Sequence, residues 1–125
     1  MRKSSFEDLE CWKASRDLRL YVTKEIVPTF PKEEKFRLAD QMIRASRSVT
    51  ANIAEGYGRY HYLDEAKFLS NSRGSLHEVL DHGITGLDEG LLTPAQLGIL
   101  REKAELALKL LNGYRAYLLR KAKEK

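Results

Sequence analysis

The sequence predicts an all-α fold, an antiparallel up-down-up-down four-helix bundle in a single domain over residues 1–125. Three observations predict it. Apolar residues recur three and four apart along four segments, no segment shows strand-like alternation, and prolines or glycines break the chain between segments. A chain of 125 residues buries most of its apolar surface around one core without disulfides or metals.

The first helix is expected over about 9–27. Cys11, Ser15, Leu18, Val22 and Ile26 share one face, with Trp12 and Tyr21 beside it. Pro28 and Pro31 then stop it, because proline cannot continue a helix interior. The second helix is expected over about 32–55. Its seam is Ala39, Met42, Ser46, Val49 and Ile53, spaced three, four, three, four, as between helices crossing at a shallow angle. Gly56 and Gly58 end it, with Gly56 expected just past the last turn in a left-handed conformation. The third helix is expected over about 62–89, with the seam Ala66, Leu69, Arg73, Leu76, Leu80, Gly83 and Leu87.

The fourth helix, about 94–120, has the clearest start. Thr93 suits the N-cap, Pro94 the first helical position and Gln96 the reciprocal capping position. Leu97, Leu100, Ala104, Ala107, Leu111, Tyr114 and Leu118 form its seam, and the basic tail at 120–125 is expected to fray. Short connections between such segments make neighbours antiparallel.

With 42% hydrophobic and 32% charged residues, the composition is that of a folded soluble protein. No apolar run approaches the roughly 18 residues of a membrane span, so no membrane partner is expected. A single cysteine and no signal-peptide core point to the cytoplasm. The net charge of +4 permits an acidic partner without requiring one.

No chemistry of an enzyme is expected. The stretch His77–His82 holds His77, Glu78, Asp81 and His82, but the histidines are five apart and so off one another's face, which fails the zinc pattern. The di-iron pattern fails as well, because His82 follows Glu78 by four. Cys11 in an apolar seam reads as a small buried thiol. No catalytic residue, metal or cofactor is therefore assigned. Gly56-Tyr57-Gly58 follows a helix and matches no phosphate loop.

Two surface features remain. Arg37, Gln41, Arg44 and Ser48 form a polar stripe on the second helix with Arg47 alongside, and residues 35–73 hold seven Lys or Arg against four Asp or Glu. Tyr57, Arg59, Tyr60, His61 and Tyr62 follow on the connection, where flat rings and cations suit stacked bases and their phosphates. Arg37, Arg44, Arg47, Arg59, Tyr57 and Tyr60 are the candidate nucleic-acid-binding residues. The second feature is Ser72-Arg73-Gly74-Ser75, where three small side chains admit another helix closely, either the second helix at Ala45, Ala51 and Ala54 or a helix of another copy. Glu55, a carboxylate at the negative end of a helix dipole, needs a cation. Arg59, Arg44, Arg47 or a neighbouring subunit's arginine would supply it. Glu55, Ser72, Arg73, Gly74 and Ser75 are the candidate oligomer interface.

Residues Gln41–Arg59 ("QMIRASRSVTANIAEGYGR"), Phe68–His82 ("FLSNSRGSLHEVLDH") and the opening Phe6–Leu18 resemble the four-helix bundle proteins encoded within intervening sequences of bacterial large-subunit ribosomal RNA genes. The similarity runs from about Phe6 to Tyr117, and "NIAEG" and "RGS" are its specific words. The resemblance implies a cyclic homo-oligomer, typically a pentamer. It also implies kinship in architecture with the accessory protein of diversity-generating retroelements, a basic barrel that binds nucleic acid and a reverse transcriptase. The expected function is a non-enzymatic homo-oligomer that binds RNA or DNA. The rival expectation is a protein scaffold or an accessory subunit that docks a nucleic-acid-processing protein without touching nucleic acid itself.

Overall fold

The computed structural model describes residues 5–124, with four α-helices, several short helical turns and no strand among the described residues. Arg2 and Lys3 of the basic opening and Lys125 of the basic tail lie outside them. Helix α1 is Glu10–Tyr21, α2 Leu38–Tyr57, α3 Tyr62–Asp88 and α4 Pro94–Lys123. The helices meet in a ring, α1 on α2, α2 on α3, α3 on α4 and α4 on α1, with α2 and α3 sharing the largest face. The architecture is a four-helix bundle.

The core draws on every helix. Leu18, Met42, Ile53, Leu69, Leu76, Leu100, Leu111 and Leu118 are fully buried, each contributing about 1.5–3 kcal/mol relative to exposure. The expected α1 face is buried as read, and below Tyr21 the helix widens into a π turn over Val22–Ile26. Four-residue steps drift about 40° around a straight α-helix. The wider turn removes that drift and keeps Val22 and Ile26 in the core.

Four details differ from the sequence reading. Lys32–Glu34 forms a separate 3₁₀ turn, and α2 begins only at Leu38, because Phe36 stays 83% exposed and Leu38 is the first residue there that the core takes in. Gly56 lies inside α2 and is buried. The only described residue with positive φ is Gly90 (φ 77°), at the α3–α4 turn, where Leu91 N–H donates to the Gly86 carbonyl at 2.7 Å. On α3, Arg73 is exposed and Ser72 takes its place in the seam. Either residue satisfies the spacing between Leu69 and Leu76, and the serine wins because its hydroxyl donates to the Val49 carbonyl at 2.7 Å.

At the far end, α4 runs through Lys123 instead of fraying, with Lys121 paired to Glu124 at 3.4 Å and resting over the Tyr117 ring. Its start is as expected. Thr93 Oγ1 accepts from Gln96 N–H at 3.1 Å, and Gln96 Oε1 accepts from Thr93 N–H at 2.9 Å.

A basic groove and an aromatic cleft

Helix α2 carries small residues on two faces, and the faces end differently. On the side toward α3, a Cβ built on Gly56 would stand 2.8 Å from Phe68 Cβ and 3.2 Å from the Glu65 carbonyl, so only glycine allows this approach. Ser48 and Ser75 hydroxyls meet at 2.8 Å on the same side, and Asn52 Nδ2 donates to Ser48 Oγ at 3.0 Å. On the side toward α1, Ala51 and Ala54 floor an open groove of about 510 Å³ walled by Phe6, Trp12, Arg19 and Arg47.

The groove is cationic and partly aromatic. Arg19 Nη1 donates to Thr50 Oγ1 at 2.7 Å, which fixes its guanidinium across the helix pair. Arg16 lies over the Trp12 ring, 5.9 Å from its centroid, and Phe6 meets Trp12 edge-on at 5.3 Å. None of Arg16, Arg19 and Arg47 forms an ion pair with a described acidic residue.

At the bundle end where α2 hands over to α3, a cleft of about 770 Å³ opens among the starts of α1 and α3, the connection after α2 and the last turns of α4. Tyr57, Tyr60, Tyr62, Tyr114 and Tyr117 supply its rings. At its floor the Glu65 carboxylate, 7% exposed, accepts from the Tyr114 hydroxyl at 2.8 Å. Burial, reinforced by that bond to Glu65, raises the Tyr114 phenol well above its ordinary range, so it remains a donor. Cys11 lines the same floor; burial, with Glu65 and Glu10 adding to it, pushes its thiol up to about 12. A protonated, 2% exposed thiol is a poor nucleophile.

The candidate nucleic-acid residues divide among three places. Arg47 lines the groove, whereas Tyr57, Arg59 and Tyr60 line the cleft. Arg37, at the N-cap of α2, is a 20-residue helix away from Tyr57, about 30 Å at 1.5 Å per residue. Arg44 is exposed and bonds Asp40 at 3.1 Å on its own helix. The cation for Glu55 is Arg59, at 3.0 Å, with its guanidinium over the Phe68 ring. Of the small residues on α3, Ser72 and Ser75 are engaged by α2, while Arg73 and Gly74 face outward and a Cβ on Gly74 would meet nothing within 4 Å.

The histidine stretch yields one pair, His82 Nε2 with Glu78 Oε2 at 3.3 Å. Among the described residues no three His, Cys, Asp or Glu side chains gather as a metal site. Among the described residues no helix is long and apolar enough to cross a membrane.

Sequence reasoning missed Phe6, Trp12 and Arg19 in the groove, and Glu65, Tyr114, Tyr117 and Lys121 in the cleft. The spacing of Trp12, Arg16 and Arg19 on one face of α1 was the available signal. What it meets on α2 depends on how the helices pack.

Fold and surface together define a class: a four-helix bundle with an open arginine groove along one helix pair and an aromatic cleft at one end. Comparison with known families refines that class. The chain belongs to the 23S rRNA-intervening sequence protein family, whose model it matches over residues 7–113. Comparison with curated proteins gives no match.

Proposed function

We propose that this protein is a non-enzymatic, homo-oligomeric four-helix bundle of the cytoplasm that binds RNA or another nucleic acid through its α1–α2 groove. The observation that carries this reading is the set of Arg16, Arg19 and Arg47 around Trp12, three guanidiniums without a described acidic partner on an open surface. Phosphates suit such cations, and the Trp12 ring offers a face to an unstacked base. The buried, protonated Cys11 supports the absence of nucleophilic chemistry.

In this reading the helices alternate up and down. Support comes from pairings that join opposite halves of neighbours: Gly56 with Phe68, Glu65 with Tyr114, and Gly83 with Leu100. Assembly into several copies, a pentamer by family resemblance, is supported by Ile99, Leu106 and Tyr117, all at least 42% exposed on α4. Those same residues favour the second reading, a scaffold that docks a protein partner.

Anisotropy titrations against single-stranded and structured RNA test the first reading. Affinity is expected to fall steeply with salt, because each phosphate contact releases counterions. Arg19→Ala with Arg47→Ala should weaken binding for every sequence and flatten the salt dependence by about two contacts' worth. Binding that ignores salt and survives the double substitution transfers the groove to the scaffold reading. Light scattering coupled to size exclusion tests assembly, and a monomer ends that part of the proposal.

A further inference from the structure

We propose that the cleft at the α2–α3 end binds a small aromatic acid, its flat apolar body inside and its carboxylate at the mouth. The site stands apart from the α1–α2 groove, and neither reading requires the other. Its volume of about 770 Å³ lies in the range of small-molecule pockets, about 300–1,000 Å³.

The interior asks a guest for no hydrogen bonds. Glu65 is bonded to the Tyr114 hydroxyl at 2.8 Å, and Glu65, Tyr57 and Tyr62 each have a further interaction within the fold. What remains of the inner lining is apolar: Leu9, Leu110, Leu118 and the protonated Cys11 thiol. A polar group brought there would lose its water without gaining a partner, so the inner part of the guest is apolar. Rings set its shape. Tyr60 is 93% exposed, with ring surface left to give, while Tyr114 and Tyr117 lie nearly parallel, 15° apart with centroids at 6.1 Å. An intervening ring needs about 3.5–4.0 Å on each side, so none fits between that pair and a guest lies along it instead. An aromatic body gains more against such rings than an acyl chain of equal area.

Charge orients the guest. Arg59 and His61 line the cleft from the connection and Lys121 from α4, where its ammonium stands 5.7 Å over the Tyr117 ring and so beside the aromatic wall. Lys121 also pairs with Glu124 and Arg59 with Glu55, both exposed contacts that a carboxylate displaces at small cost. The acids of the lining are Glu65 at the floor and Glu10, which is bonded to Lys13 at 3.3 Å. Repulsion from Glu65 keeps an anionic group away from the floor, and the cations hold it at the mouth. A flat apolar body carrying one carboxylate meets all of these demands.

Calorimetric titration of the full-length protein with naphthylacetate, naphthylacetamide, octanoate and acetate tests the proposal. Naphthylacetate is expected to bind saturably and most tightly, and acetate not at all. Naphthylacetamide, the same body without the charge, should bind about tenfold more weakly, the loss expected when charge-assisted hydrogen bonds go. Tyr60→Ala, on an exposed ring whose removal leaves folding intact, should weaken naphthylacetate and naphthylacetamide alike, about fivefold or more. Lys121→Ala should weaken naphthylacetate about threefold, because Arg59 and His61 remain, and leave naphthylacetamide unchanged. Arg19→Ala with Arg47→Ala should leave naphthylacetate binding untouched, so failure of the groove reading does not carry over. Absence of saturable naphthylacetate binding overturns the proposal, as does equal binding of naphthylacetamide or octanoate, or indifference to either Tyr60→Ala or Lys121→Ala.

Discussion

The two small-residue faces of α2 look alike as sequence and behave oppositely in the fold. Toward α3, Gly56, Ser48 and the Val49 carbonyl are covered by Phe68, Ser75 and Ser72. Toward α1, Ala51 and Ala54 are left as the floor of a groove. A small side chain therefore marks either a close contact or a vacancy, and the partner helix decides which. On the α1 side the bulky Trp12 and the long Arg19 side chain, which reaches across to Thr50, stand beside the small residues, while on the α3 side hydroxyl-to-backbone bonding joins the helices directly.

The sharpest break in this contrast is Gly56→Val. Its Cβ would collide with the Phe68 Cβ and the Glu65 carbonyl, neither a flexible chain end, so urea denaturation should show a loss of about 3 kcal/mol. Next is Ser72→Ala, which removes a buried hydrogen bond and should cost about 1 kcal/mol by the same measurement. The smallest effect on stability is expected for Ala54→Leu, because the added side chain enters open space; the midpoint should move by no more than about 0.5 kcal/mol. Yet Ala54→Leu narrows the groove beside Trp12, so it should weaken RNA binding in the anisotropy assay. A large stability loss there, or unchanged binding, would mean the two faces are not different in the way described.

Much of the fold was legible because helical periodicity reports burial directly. Met42, Val49 and Ile53 on α2 and Leu97 through Leu118 on α4 fall where the spacing puts them, and the capping residues Thr93 and Gln96 make the bonds their positions imply. Illegible parts were those where two local rules compete. Glu33 and Glu34 favour a helix start, but the core first takes in Leu38. Gly56 has the identity of a helix terminator, but the chain stays helical through Tyr57, whose ring packs against the core. The candidate site was legible only by residue type. Arg47 and Tyr60 share an expected role in the sequence and line different cavities, because groove and cleft arise from packing between helices. Glu65 was missed for the same reason; nothing in its neighbourhood along the chain signals that Tyr114 will reach it.

The ring of helix faces also has a kinetic meaning. Three of its four contacts join segments adjacent along the chain, and only α1 against α4 brings distant ends together. Loop closure disfavours that last contact most, and of the three adjacent pairs α1 on α2 shares the smallest face, so the α2–α3–α4 hairpins should assemble first and α1 should dock late and open early. Both cavities have a wall contributed by this late-docking segment. Hydrogen exchange on α1 would then report when each of them exists.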